Sequence, residues 1–163
     1  MRQARWLVPW KDSGEKPAIY HCISRVVDRR FVLGDDEREK FRIFMRMQEN
    51  FSGCRVLSYC FMSNHFHILV EVPRRPAQLP ETQEVIRKLR HLSGTATSAE
   101  LARQQIERFR KAGDAAAERA FCERICALMW DVSAFMKLLK QRFSHWYNRQ
   151  HTRKGTLWEE RFG

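Results

Sequence analysis

The most regular stretch of this sequence is Met62-Ser63-Asn64-His65-Phe66-His67-Ile68-Leu69-Val70-Glu71. From residue 65 onward, apolar side chains alternate with side chains that are mostly polar. Because side chains on a strand point alternately to the two faces of a sheet, this pattern predicts a strand over residues 65–72. Both histidines then project from one face of the sheet, and Phe66 and Ile68 project from the other.

The sequence on the amino-terminal side of this stretch predicts three further elements. Residues 17–27 are rich in β-branched and aromatic residues and predict a first strand. A helix is then predicted from a cap at Gly34 to Asn50, with apolar residues at helical spacing from Phe41 onward. Residues 55–62 predict a strand that a two-residue link joins to residues 65–72 as a hairpin. The order strand, helix, strand, strand is typical of an α+β protein whose helices pack on one face of an antiparallel sheet.

The remaining sequence predicts helices only. Residues 74–113 are polar and broken by proline and glycine, and they predict helical pieces at 81–91 and 98–111. A third helix is predicted over 115–129, and a last, long one begins at Asp131 and reaches residue 150 or 151. We interpret residues 1–163 as a single domain with a helical insertion at about 74–130.

The composition favours a polyanionic partner. Thirty Lys and Arg against nineteen Asp and Glu leave a net charge of +11, and nucleic acid is the commonest partner of so basic a protein. The sequence has no apolar run of membrane-spanning length and no secretory signal, so a cytoplasmic protein is expected. The five cysteines include no Cys-x-x-Cys pair, which favours reduced thiols over disulfides or a zinc ribbon.

The histidine pair is the first candidate for chemistry. Neutral imidazole nitrogens bind divalent ions, and two imidazoles on one strand face would make half of a rigid coordination shell from His65 and His67. The alternative is a pair of surface histidines on a solvated sheet face. The His-x-His spacing alone does not separate these two interpretations.

The last predicted helix is the second candidate. Tyr147 and His151 are four residues apart and share one face of this helix. Residues 131–154 contain six Lys and Arg against one Asp, interleaved with aromatic residues, as in a groove that binds an unpaired strand. These basic residues are Lys137, Lys140, Arg142, Arg149, Arg153 and Lys154, and Trp158 is a candidate for stacking on a base. The alternatives are a core tyrosine and a solvated charged face.

Several enzyme classes lack support in the sequence. It contains no phosphate-binding glycine loop, no Gly-x-Gly-x-x-Gly and no Gly-x-Ser-x-Gly. Chemistry on a nucleic acid therefore has to proceed without nucleotide hydrolysis. Attack by a tyrosine on a phosphodiester meets this condition, because one phosphodiester is exchanged for another.

Taken together, these motifs resemble the single-tyrosine HUH transposases, and among them the REP-associated tyrosine transposases. The resemblance is carried by residues 20–25 (Tyr-His-Cys-Ile-Ser-Arg), by the stretch at 62–70, by Tyr147-Asn148 and by Gly155-x-Leu157-Trp158-x-x-Arg161-Phe162. It covers residues 17–73 and 131–162. The fold that it implies is a ferredoxin-like antiparallel sheet with the histidine pair on a central strand and the nucleophile on a carboxy-terminal helix.

The resemblance also implies a reaction. Mg²⁺ or Mn²⁺ held by His65, His67 and His151 would polarise the scissile phosphate, with Gln150 as a fallback ligand. Tyr147 would attack single-stranded DNA near a hairpin and form a 5′-phosphotyrosine. Arg25 and the basic residues of the last helix would hold the flanking strand. The chain would then be a nucleoid-associated DNA nicking and joining enzyme.

Two further expectations accompany this resemblance. Proteins of this type continue past residue 163 with an Asn-Pro-x-Arg-Ala run, so the sequence is expected to be truncated at its carboxy terminus. The competing functions are a non-catalytic nucleic-acid-binding module or repressor with the same fold, and a histidine-metal hydrolase in which Tyr147 belongs to the core. The sequence leaves a monomer and a homodimer equally open.

Overall fold

The computed structural model describes residues 7–9, 16–93 and 97–159. Three strands form one antiparallel sheet in the order β1-β3-β2. The strands are β1 (Ala18–Arg25), β2 (Arg55–Phe61) and β3 (His65–Val72), and the helices are α1 (Asp35–Ser52), α2 (Thr82–Ser93), α3 (Thr97–Lys111), α4 (Ala115–Cys126) and α5 (Val132–Gln150). The predicted α+β class is confirmed, and β3 has the predicted bounds.

The sheet buries one face and leaves the other open. Phe66, Ile68 and Val70 on β3 are fully buried, whereas the residues between them are partly exposed. Phe41 of α1 contacts Phe66 and also Phe143 of α5, with ring centroids 4.7 and 5.0 Å apart. Helices α1 and α5 therefore cover the same face of the sheet, which is the apolar face of β3.

Helices α2, α3 and α4 enclose a second apolar cluster. Val85, Ile106 and Cys126 are buried there, and Phe51 near the end of α1 joins the cluster. Gly53 ends α1 in the left-handed conformation at φ 72°, and a Cβ at this position would lie 2.8 Å from the indole nitrogen of Trp130. Only glycine fits this junction without strain. The helical segment is thus packed onto the end of α1.

A short segment runs beside the free edge of β1. The amide of Val27 donates to the carbonyl of Leu157 at 3.1 Å, and the amide of Glu159 donates to the carbonyl of Arg25 at 2.9 Å. This pairing forms a single antiparallel bridge between Val26 and Trp158. In the described parts of the chain, no helix is both long and apolar enough to cross a bilayer.

Candidate functional site

The histidine pair lies on the open face of the sheet. His65 and His67 stand on β3, the central strand, and their ring centroids are 5.2 Å apart. Their neighbours Phe66 and Ile68 point into the core. The predicted sharing of one sheet face by the two imidazoles is therefore present in the structure.

The amide of Asn64 determines which nitrogen of His65 carries the proton. Its Nδ2 donates to the carbonyl of Arg29 at 3.1 Å, which orients the amide. Its Oδ1 lies 2.8 Å from Nδ1 of His65 and can only accept a hydrogen bond. Nδ1 of His65 is therefore the donor, and its Nε2 keeps a lone pair that is available to an ion.

A third histidine, His21 on β1, contacts His67. Its Nε2 is 3.0 Å from Nδ1 of His67, and the two ring planes are inclined by 22° with centroids 5.1 Å apart. Burial lowers the pKa of His67, and the nearby His21, His65 and Arg25 lower it further. A lowered pKa favours the neutral imidazole, which is the form that binds metal ions. No functional role for His21 was predicted from the sequence.

Donor chemistry at this site fits half of a metal-binding site. His65 and His67 offer two imidazoles on a rigid strand, as a divalent ion requires. However, the described residues contain no group of three or more His, Cys, Asp or Glu side chains placed to hold a metal ion. The structure therefore brings the two histidines together, and it does not bring His151 to them.

Tyr147 and His151 lie together at the end of α5. Their rings stack with centroids 4.1 Å apart, so the predicted sharing of one helix face is present. Tyr147 also stacks on the buried Phe143 at 6.1 Å. Nε2 of His151 lies 3.2 Å from a carboxylate oxygen of Glu37 at the start of α1. This pair thus packs on the core side of the sheet, opposite to the face that carries His65.

The surroundings of Tyr147 do not activate its hydroxyl. Burial raises the pKa of Tyr147 above its ordinary value, and the charge of Glu37 raises it further. The charges of Arg153 and Arg30 act in the opposite direction and do not reverse the shift. Less phenolate is therefore present at neutral pH than for a free tyrosine.

The basic residues predicted to contact DNA fall into two groups. Arg25, Lys137, Arg149 and Lys154 are exposed. The second group, Arg153 and Lys140, makes contacts within the protein. Arg153 donates to the carbonyl of Thr156 at 3.0 Å, and the ammonium group of Lys140 lies 5.9 Å from the Trp158 ring centroid. A cavity of ≈ 760 Å³ follows α5, with Lys137 and Lys140 among its lining residues.

The structure corrects the role predicted for Trp158. Its side chain is only 5% exposed and packs against Phe66 and Phe143, with centroids 5.2 and 5.7 Å away. Its indole nitrogen donates to the carbonyl of Lys140 at 3.2 Å. A ring enclosed in this way belongs to the core and cannot stack on a DNA base.

Arg142 also has a different role from the predicted one. Its guanidinium group donates to the carbonyls of His91 and Leu92 at 2.9 and 3.1 Å, and it lies 4.5 Å from the Phe44 ring centroid. Burial lowers the pKa of Arg142. This arginine therefore connects the end of α2 to α5 through hydrogen bonds. We exclude it from the proposed DNA contacts.

Replacing Arg142 with methionine should destabilise the fold. Arg142→Met keeps much of the aliphatic stem, but it leaves the His91 and Leu92 carbonyls without their donor. We expect the free energy of unfolding in urea to fall by about 1–3 kcal/mol. Arg149→Met, at an exposed position on the same helix, should stay within roughly 0.5 kcal/mol of the parent protein. Equal stability of the two variants would contradict the structural role of Arg142.

Comparison with known proteins supports the family that the motifs resemble. The family model described as "Transposase IS200 like" matches residues 16–112, which is more than half of the chain. The match contains the sheet with His65 and His67, continues through α2 and α3, and ends before α5 with Tyr147. No curated protein and no solved structure matches significantly. The chain therefore belongs to the IS200-like transposase family, whose members process DNA.

Proposed function

We propose that this chain is a metal-dependent endonuclease and strand transferase that acts on single-stranded DNA through a 5′-phosphotyrosine. The observation that carries the proposal is the pair of imidazoles on β3. Asn64 accepts from Nδ1 of His65, which leaves Nε2 of His65 free on the open sheet face. Mg²⁺ or Mn²⁺ bound by His65 and His67 would stabilise charge on the scissile phosphate.

The topology supports a ferredoxin-like arrangement for this proposed enzyme. The strand order β1-β3-β2 places the histidine strand at the centre of the sheet. Residues 157–159 run antiparallel to the end of β1, beside its free edge. We propose that residues 1–163 form one catalytic domain and that the helices between β3 and α5 are an elaboration of it.

In the proposed reaction, the hydroxyl oxygen of Tyr147 bonds to the phosphorus of the scissile phosphodiester. The phenolic proton of Tyr147 is released to water, the bond from phosphorus to the 3′-oxygen breaks, and that oxygen takes up a proton from water. The 5′-phosphate remains on the tyrosine, so a later attack by a 3′-hydroxyl can rejoin the strand. His151, which stacks on Tyr147, is the proposed third ligand. Since the two residues lie on the core side of the sheet, the reaction requires the last turn of α5 to move.

DNA binding is proposed to rest on the exposed cations Arg25, Lys137, Arg149 and Lys154. Phosphate contacts release condensed counterions, so the affinity for single strands should fall as salt rises. A hairpin next to the cleavage position and a homodimer are compatible with this proposal. The contacts of these cations require neither of them.

The salt dependence gives a quantitative test of binding. On a plot of log affinity against log salt, each phosphate contact with a single strand contributes a slope of about −0.7. Arg149→Ala should therefore flatten the slope by about 0.7. Arg103→Ala, at an exposed cation of α3, is the matched control and should leave the slope unchanged. A slope near zero for the parent protein would exclude nucleic acid as its partner.

The covalent intermediate is the direct test of the proposed function. The protein is incubated with Mn²⁺ and single-stranded oligonucleotides that carry a label at the 3′ or the 5′ end. On a denaturing gel, the 3′-labelled fragment should migrate with the protein, because the 5′-phosphate is joined to tyrosine. The 5′-labelled fragment should be released with a free 3′-hydroxyl. Cleavage without any protein-linked product would instead favour a hydrolase.

The second candidate function is a non-catalytic nucleic-acid-binding module. The observation that favours it is the position of Tyr147, which stacks on Phe143 in the core, away from the open sheet face. Such a module would bind single-stranded DNA with the same salt dependence. It would form no covalent product with any metal ion.

A further inference from the structure

His21 forms a contact that the proposed reaction has not used. Its Nε2 lies 3.0 Å from Nδ1 of His67, and the two ring planes are inclined by only 22°. His21 stands on β1, where its backbone partner on β3 is Leu69, so its side chain reaches His67 diagonally across the strand pair. It is exposed on the open face of the sheet. This combination points to a role in orienting the neighbouring imidazole.

The two histidines of β3 are held at the same ring atom. Oδ1 of Asn64 accepts from Nδ1 of His65, and Nε2 of His21 faces Nδ1 of His67. In both histidines, the ring nitrogen that takes no part in these two contacts is Nε2. Histidines that bind metals usually donate their other ring N–H to a nearby acceptor, which selects the tautomer and the ring orientation.

We propose that His21 is a positioning residue for His67. In this arrangement, Nε2 of His21 accepts the hydrogen bond that Nδ1–H of His67 donates. The proton on Nδ1 leaves Nε2 of His67 unprotonated and free to bind an ion, matching the state that Asn64 imposes on His65. The consequence for metal binding rests on the proposed function, whereas the hydrogen bond itself does not.

Three variants of the full chain separate this role from a general effect on the surface. His21→Phe keeps a flat ring but removes the acceptor. His21→Gln places an amide oxygen near the position of the imidazole Nε2 and so restores an acceptor. His145→Phe removes an exposed histidine of α5 and is the matched control. Because His21 and His145 are both exposed, none of these substitutions changes a core residue.

The first measurement reads the tautomer of His67 without any metal. Nitrogen-15 shifts of its two ring nitrogens should show Nδ1–H in the parent protein, in His21→Gln and in His145→Phe. In His21→Phe, the Nε2–H tautomer should gain population. A parent protein in which His67 carries its proton on Nε2 would overturn the proposal, because Nε2 would then be the blocked nitrogen.

The second measurement is the affinity for Mn²⁺, followed by the loss of the free-ion signal in electron paramagnetic resonance. His21→Phe should weaken binding about 10- to 100-fold, as for other residues that orient a metal ligand. His21→Gln should recover most of this loss, and His145→Phe should bind like the parent protein. Parent-like binding by His21→Phe, or no recovery in His21→Gln, would overturn the role. If the parent protein binds no Mn²⁺ although His67 carries Nδ1–H, the metal-dependent function fails and the His21 contact stands.

Discussion

Replacing His65 and His67 together with alanine is expected to abolish metal-dependent cleavage of single-stranded DNA. The two imidazoles are the proposed protein ligands on the central strand, and the double variant removes both of them from the open sheet face. A bound ion contributes several kcal/mol to stabilising charge in the transition state. At 1.36 kcal/mol per factor of ten, the cleavage rate should fall by about a thousandfold or more.

The same double variant should retain its fold and its DNA binding. Both side chains are partly exposed, and the buried residues Phe66 and Ile68 between and beside them are unchanged. Urea unfolding should therefore change little, and the salt slope of binding should match that of the parent protein. His145→Ala, at an exposed histidine of α5, is the control for cleavage. Undiminished cleavage in the double variant, or in excess chelator, would show that the two residues are surface histidines and not metal ligands.

The sequence predicted the elements of this fold well because its local signals agree with one another. Alternation in residues 65–72 is bounded by Asn64 and Pro73, and the observed strand has the same limits. The first strand was predicted to reach residue 27 but ends at Arg25, because the chain then turns through Asp28 with a positive φ of 58°. Such a turn depends on its tertiary partners, which local patterns do not report.

The candidate site was predictable only in part. The alternation that places His65 and His67 on one face is a local property, whereas the contact of His21 depends on the register between β1 and β3. The helical period similarly placed Tyr147 beside His151 but could not show which face of the sheet α5 covers. Long-range packing determines these relationships, since a strand or helix pattern defines faces without naming their neighbours.

The errors at Arg142 and Trp158 have a common cause. Both residues were assigned to DNA because a basic or aromatic side chain in a basic segment suits a nucleic-acid groove. Such side chains also have long apolar parts that can be buried when a polar tip finds a partner. Backbone carbonyls supply these partners, at His91 for Arg142 and at Lys140 for Trp158.

Replacing Tyr147 with phenylalanine is expected to eliminate the covalent DNA adduct. The substitution removes one oxygen and keeps the ring that stacks on Phe143, so the fold should survive. Tyr20 is buried, with 8% exposure, so a substitution there would change the core. The Tyr59 ring instead lies 5.5 Å from the guanidinium group of Arg46. Tyr59→Phe is therefore the matched control. It should form the adduct at the parental rate.

The environment of Tyr147 adds a directional test of the same assignment. Burial is the largest cause of its raised pKa, and the carboxylate of Glu37 is the next. Since the phenolate is the stronger nucleophile, adduct formation should increase as the pH rises toward the pKa of Tyr147. In the resting protein, Glu37→Gln removes the second cause and should lower the pKa of Tyr147, which ultraviolet absorbance of the phenolate can follow. An unchanged titration of Tyr147 in this variant would contradict the influence of Glu37.

The position of Tyr147 determines how each outcome is interpreted. Its ring packs on the core side of the sheet, so attack at the histidine pair requires the end of α5 to leave its contact with Glu37. DNA that promotes this movement should allow the parent protein, but not Tyr147→Phe, to form the adduct. An adduct in both proteins would assign the nucleophile to another residue. DNA binding without an adduct in either protein would favour the binding module or a tyrosine outside this chain, and a longer chain tested with the same oligonucleotides would distinguish these two.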